Sequence, residues 1–335
     1  MVKVLRFALL ILWAGLPLSA QEKDPAYHEE AVPIERPVPA LRVLTWNIQY
    51  GAETGAQANR WPERKTALKF FLEKERPDLL CVQEALKGQV EFLEKLFPTH
   101  RRIGVGRDDG ADLGEFCAIF FDPKRLKLVE SGTFWLGETP EKPCKCWADR
   151  HPRICTWARF EDPLKKKTFR LFNTHFPLNP VAGEKAARQL SKRIREQHPE
   201  EPLLCVGDFN SGPGGDVWKT LYRTGLRNSE IVAQRKILSR TFHLEGFPTT
   251  CIDAIFVSPG WGVADHRVFD KRLEKLFPSD HFGLVADLHF ASLLEPKPAD
   301  PEPGKPFKFN EMEPLETQPL VPDPATENSG EKAGR

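Results

Sequence analysis

Short runs of apolar, β-branched and aromatic residues recur through the middle of the chain, and many end on a polar side chain. They are LRVLTWNI (41–48), DLLCVQE (78–84), FCAIFFD (116–122), ICTWARF (154–160), TFRLFNTHF (168–176), PLLCVGDFN (202–210), IDAIFVS (252–258) and GLVADLHF (283–290). Flanked by Gly, Pro or Asp, such runs are expected to be strands, several of them buried on both faces. Two segments carry a helical period instead. WPERKTALKFFLEKERP (61–77) has Pro62 in a first-turn position, an apolar stripe through Ala67, Leu68, Phe71 and Leu72, and Pro77 as a stop. GEKAARQLSKRIREQHPE (183–200) repeats that logic through Ala187, Leu190 and Ile194. Many strands with a few interspersed helices predict an α/β layered sandwich, two sheets with helices packed outside.

Polar residues gather at the ends of these runs. Asn47 closes the first, Glu84 the second, His175 ends TFRLFNTH, and Asp208 and Asn210 follow PLLCVG. Asp280 and His281 precede the last run. Carboxylates, amides and histidines at the ends of buried strands are poor folding devices, whereas ligands collect where loops meet a rigid scaffold.

The ends of the 335-residue chain differ from its middle. Lys3 and Arg6, an apolar stretch from Phe7 to Leu16 and the small ending Leu18-Ser19-Ala20 form the three-part layout of a secretory signal cleaved after Ala20. That stretch is short of the roughly 20 apolar residues a bilayer span needs. Export to a secreted or periplasmic location, with no span in the mature chain, is the expectation. Residues 21–40 have the composition of a linker, and residues 293–335, rich in Pro and Glu, that of a disordered tail. A single domain over 41–292, without internal repeats, is left, and a monomer is expected. This core holds 39 basic and 33 acidic side chains, an excess of about six that suits an anionic ligand but not a heavily basic nucleic-acid binder. Seven cysteines in an exported chain raise the expectation of a disulfide within the group Cys144, Cys146, Cys155 and Cys251; Cys81 and Cys205 lie inside apolar runs and suit the core.

Each candidate has a structural alternative. Glu84 is a carboxylate carried to the core edge, where it either faces solvent or meets Mg²⁺, a cation satisfied by one or two carboxylates and waters. In VGDFNSGPGG (206–215), Asp208 suits water activation and Asn210 a phosphoryl or carbonyl oxygen, or the two only cap their own backbone in an Asx-turn. His175 taken alone suits the core as well as chemistry. His281 beside Asp280 has an acid able to raise its pKa and orient it, and Asp253 is a second orienting carboxylate. There is no GxSxG elbow and no HExxH pair, which argues against a serine triad and a zinc peptidase.

Taken in order, LTWNIQYG, DLLCVQEA, NTHF, GDFNS, IDAIFV and PSDHFGL strongly resemble the endonuclease/exonuclease/phosphatase superfamily across about residues 41–290. GRDDG (106–110), GEF (114–116) and TFWLGETP (133–140) look like an exported bacterial branch of it. The resemblance implies a deoxyribonuclease I-like fold: a four-layered α/β sandwich of two mostly antiparallel sheets flanked by helices. It implies Mg²⁺ (or Mn²⁺ in its place) held by Asn47 and Glu84, with Asp280 able to reach a metal. It implies His175 on the scissile phosphate and able to protonate the leaving group, Asp208 on the attacking water, Asn210 on a phosphate oxygen, Asp253 supporting a histidine and His281 on the phosphate. The implied activity is a metal-dependent phosphoesterase, foremost a phosphodiesterase, with a nuclease or an inactive binding module as alternatives. Small phosphoesters, lipid head groups and nucleic acids all remain open as substrate. Gln49 stands where some nucleases of the superfamily carry an acid, which leaves one or two metals open. Lys165–Lys167 suits a solvated hairpin tip better than a phosphate grip, and Trp135, Trp147 and Trp157 suit the core better than base stacking.

Overall fold

The computed structural model describes residues 40–51, 60–196 and 201–291. The expected signal, nearly all of the linker and the tail lie outside them. Among the described residues no helix is long and apolar enough to cross a membrane.

In chain order the elements are β1 (Leu41–Asn47), α1 (Trp61–Glu75), β2 (Leu79–Ala85), α2 (Lys87–Leu96), β3 (Arg101–Ile103), β4 (Phe116–Phe121), β5 (Lys127–Trp135), β6 (Ile154–Asp162) and β7 (Lys167–His175). There follow α3 (Pro180–Glu196), β8 (Leu203–Asp208), α4 (Asp216–Tyr222), β9 (Arg227–Asn228), α5 (Ser229–Val232), β10 (Ala233–Ile237) and β11 (Phe242–Leu244). β12 (Phe247–Thr250), β13 (Asp253–Val257), β14 (Trp261–Phe269) and β15 (Gly283–Phe290) complete the chain. Seven strands form one sheet in the order β10-β14-β15-β1-β2-β4-β3, and six form a second in the order β5-β6-β7-β8-β13-β9. Within both, β1–β2, β7–β8 and β10–β14 run parallel and the other pairs antiparallel. The four-layered sandwich expected from the sequence is the fold observed.

Period-two alternation explains the layering. Leu41 and Val43 of β1, Leu79 and Cys81 of β2, Phe169 and Leu171 of β7, Leu204 and Val206 of β8, and Ile255 and Val257 of β13 share one core between the sheets. The opposite faces pack against helices. Leu44, Trp46, Leu80 and Val82 meet Leu68, Leu72, Val90 and Leu93 of α1 and α2. Phe172, Cys205 and Phe256 meet Ala186, Leu190, Trp218 and Leu221 of α3 and α4.

Toward one end the inter-sheet face changes from apolar to polar. On β1, Leu41 and Val43 give way to Thr45 and Asn47; on β7, Phe169 and Leu171 give way to Asn173 and His175. On β8 the next inward residue is Asp208, and on β13 it is Asp253. Asn173 and Gln83 begin this polar rim and tie the sheets together: Gln83 Nε2 donates to Asn173 Oδ1 at 2.7 Å, and Asn173 Nδ2 donates to the Val82 and Ala118 carbonyls.

The expected disulfide is not formed, and all seven cysteines are free thiols. Cys146 and Cys155 are buried in the helix-side core of the second sheet, whereas Cys144 joins a separate cluster with Cys117 and Trp135. Burial comes first among the causes raising the thiol pKa values of Cys146, Cys155 and Cys251, which keeps them protonated. Lys165 and Lys166 occupy the β6–β7 turn, as a hairpin tip should, at the end of β7 opposite His175. Trp135 is buried, its indole N–H donating to the Arg107 carbonyl at 2.7 Å.

Candidate active site

Register brings the polar strand ends together. His175 pairs with Asp208 across β7–β8, and Asp208 pairs with Asp253 across β8–β13. From the other sheet, Asn47 faces this row and donates through Nδ2 to Asp208 Oδ2 and to Glu84 Oε1, each at 3.0 Å. Asn47 Oδ1 is held by the Gln49 N–H at 3.0 Å, which fixes the amide's direction.

Backbone conformation re-aims two residues that alternation would point elsewhere. Gln83 faces the inter-sheet space, so a regular strand would send Glu84 toward the helices. Glu84 instead has φ +61°, at a register irregularity between β2 and β4. Asn210, with φ +46°, follows the fully buried Phe209, whose ring packs edge-on against Phe176 and Phe256. Asn210 Nδ2 thereby reaches His175 Nε2 at 3.0 Å and the Phe176 carbonyl at 2.9 Å. Left-handed backbone at non-glycine residues costs energy and persists where the surroundings impose it. Gly207 acts within the strand: at φ +136° it lies so close to β7 that a Cβ would sit 1.9 Å from the Thr174 carbonyl oxygen.

The histidines differ in charge. His281 Nδ1 lies 2.8 Å from Asp253 Oδ2, and its Nε2 lies 3.8 Å from Asp208 Oδ2. Burial by itself would strip its proton, but Asp253, Asp208 and Asp280 more than reverse this and push its pKa up to about 10. These carboxylates favor the imidazolium form of the ring. His175 is held well below the ordinary histidine range, first by burial and then by the positive charges of Arg153 and Arg107, so it is neutral. Burial, followed by the charge of Asp253, raises the Asp208 carboxyl. Asp280 is raised too, chiefly by burial; its Oδ2 accepts from Gln49 Nε2 at 3.2 Å.

All eight residues singled out in the sequence therefore fall at one rim of the sandwich. Several of their supports carried no strong sequence signal. Arg64, on the apolar stripe of α1, donates to the carbonyls of Ile48, Gln49, Tyr50 and Pro278 at 2.7–3.2 Å, clamping two of the segments that carry site residues. A charge at an apolar stripe position was its only mark. Thr241 Oγ1 accepts from the Ile252 and Asp253 N–H groups, and Ser279 Oγ donates to the Asn47 carbonyl at 2.6 Å. Arg107, Glu115 and Arg153 line a cleft with Glu84 and His175.

A divalent cation fits this donor set. Ligand atoms of Glu84, His175 and Asp208 lie within 4.8 Å of one another. Oxygen donors predominate, as a hard cation requires.

Strand-end acids and histidines around a metal-competent center, on a two-sheet sandwich, define the class, and residues 44–281 match the model of the Endonuclease/Exonuclease/phosphatase family. The chain belongs to that family, whose members are hydrolases of phosphoester bonds and generally depend on divalent metals. An endonuclease/exonuclease/phosphatase from Bacteroides vulgatus superposes with a TM-score of 0.71 at 31% identity, covering 75% of this chain and 99% of that one. A mannosyl-6-phosphatase from Bacteroides thetaiotaomicron gives 0.70 at 29% identity, covering 75% and 100%. Human nocturnin is 24% identical over 299 residues, which span 75% of this chain and 66% of nocturnin.

Proposed function

We propose that this protein is an exported, Mg²⁺-dependent phosphoesterase that cleaves its substrate by in-line attack of water. The observation that carries this reading is the convergence of Asn47, Glu84, His175, Asp208, Asn210, Asp253 and His281 from the ends of both sheets. Asp208 is the group that takes the proton of the attacking water, and Asp208 Oδ2 is within 3.4 Å of His175 Nε2. As the water oxygen bonds to phosphorus, the ester P–O bond breaks and the leaving oxygen carries the electron pair away. His281, an imidazolium fixed by Asp253, neutralizes charge on the phosphoryl oxygens and is the proton source for the leaving oxygen. A neutral His175 suits hydrogen bonding to the phosphoryl group better than acid catalysis, beside the Asn210 amide. Glu84, with Asn47 and Asp280 near it, would hold the metal, which supplies charge neutralization at the phosphoryl group when bound.

Diester and monoester hydrolysis share this chemistry. A nucleic-acid substrate has less support, since Lys165 and Lys166 lie at the far end of β7 from His175 and Trp135 is in the core. The test is hydrolysis of p-nitrophenyl phosphate and its bis ester with Mg²⁺ or Mn²⁺. Turnover should vanish with EDTA and return with metal. Folded Asp208→Asn and His281→Ala variants should lose on the order of 10²–10⁴-fold. Full activity in EDTA, or in either variant, contradicts the proposal. Export is tested separately, by finding the mature chain, starting at Gln21, outside the cytoplasm.

A further inference from the structure

Arg153 is 5% exposed, and neither its Nε nor its Nη1 has a hydrogen-bond partner among the described residues. A guanidinium taken out of water and left unmatched is costly, so such groups are normally paired. Its neighbor Arg107 is matched differently: Arg107 Nη1 lies 2.5 Å from Glu115 Oε2. Both arginines line one cleft with Glu84, Glu115 and His175, together with the buried Phe116, Cys117 and Ile154. The cleft measures about 160 Å³ with the open space at its edge included, and with the side chains as they stand no part of it admits a water molecule. That is far below the ~300–1,000 Å³ of pockets that enclose a whole small molecule.

The walls are fixed. Arg107 sits in a loop held by its N–H to the Glu115 carbonyl and by its carbonyl to the Trp135 indole, and Asp109 Oδ1 caps the loop's turn. Arg153 directly precedes β6, with its carbonyl accepting the Leu136 N–H at 2.8 Å.

We infer that Arg153, assisted by Arg107, binds the third non-bridging oxygen of a terminal phosphoryl group, which makes the enzyme selective for phosphate monoesters. The inference rests on the phosphoesterase reading and reverses the sequence-based preference for diesters. A phosphodiester has two non-bridging oxygens, which the Glu84 side and the His281–Asn210 side of the site occupy. A monoester dianion has a third, and a planar guanidinium takes phosphate oxygens through a two-pronged fork. A cleft this small leaves no room for a second ester chain.

The test compares p-nitrophenyl phosphate with bis(p-nitrophenyl) phosphate, both with Mg²⁺, in wild type, Arg153→Met and Arg153→Lys. Calorimetric titration with inorganic phosphate is the readout independent of turnover. Wild type should favor the monoester. Arg153→Met should lower kcat/KM for the monoester on the order of 10- to 100-fold, with a smaller loss for the diester, and weaken phosphate binding similarly. Arg153→Lys keeps the charge without the fork and should fall between; it also serves as the variant if Met prevents folding. Equal losses on both esters, a wild-type preference for the diester, or unchanged phosphate affinity would overturn the assignment. If wild type cleaves neither ester, the phosphoesterase reading fails, and the phosphate titration alone decides whether Arg153 is an anion site.

Discussion

Arg64 offers a sharp test of how the site is assembled. It is 1% exposed, and its guanidinium spans the Ile48–Tyr50 turn and the Pro278 carbonyl just before Asp280 and His281. Arg64→Met keeps most of the aliphatic stem and removes all four donations. The bonds to Ile48 at 2.9 Å and Pro278 at 2.7 Å are the shorter and fully buried ones. Those to Gln49 and Tyr50 are longer and lie nearer the surface, where water can replace them. Hydrogen bonds to a charged group are worth about 1.5–3 kcal/mol each, which for the two buried bonds totals about 3–6 kcal/mol. Removing the charge also removes its desolvation cost, seen in the lowering of the Arg64 pKa by burial. A net loss of about 2–4 kcal/mol is expected. Urea unfolding measures it. Activity should drop as well, because Asn47, Gln49 and Asp280 lose a common anchor. Arg64→Lys should recover only part of both, since an ammonium cannot span four carbonyls in one plane. A loss below about 1 kcal/mol with unchanged kcat/KM would refute the clamp.

Other substitutions probe separate features. Asp253→Asn removes the carboxylate that charges and orients His281, and should cut kcat on the order of 10²–10⁴-fold while the fold is kept; a loss under tenfold would contradict the pairing. Asp287→Ala removes the buried carboxylate that Arg42 meets through two 2.7 Å bonds, leaving it only Glu75 at 3.5 Å, and should cost about 3–5 kcal/mol in urea unfolding. His266, hydrogen-bonded through Nδ1 to Ser229 Oγ, is pushed down to about 4, first by burial and then by Lys236 and Arg267. Its contribution is complete above the ordinary value of 6.5 and is lost as pH falls toward 4, because the unfolded chain takes up a proton that the folded one refuses. Between pH 7.5 and 5.0 wild type should lose about 2 kcal/mol more than His266→Asn; parallel pH profiles would show that the histidine is not the cause.

The eight apolar runs are all strands because each carries its own period and its own flanking breakers. β14 has no such clarity. Its WGVADHRVF contains Asp265, His266 and Arg267, which are buried together and satisfied by Glu75, Ser229 and one another. Such residues look like a polar surface until their partners arrive from distant parts of the chain, as Arg42 and Asp287 do across 245 positions. β5 is buried only at its end, Phe134 and Trp135, and its first seven residues show no apolar alternation for the same inspection to find.

For the site, local sequence determined which residue types end each strand, since alternation alone places Asn47, His175, Asp208 and Asp253 on the inward face. It also marked Glu84, Asn210, Asp280 and His281 as out of keeping with a core. What only the tertiary structure decided is that both sheets present these ends at the same rim. Two backbone reversals, at Glu84 and Asn210, then turn side chains that alternation had aimed elsewhere into the shared space. The same holds for Arg64 and Arg153. Their roles depend on which carbonyls, or which cleft, a long side chain reaches, and that is settled by packing between elements far apart in the chain.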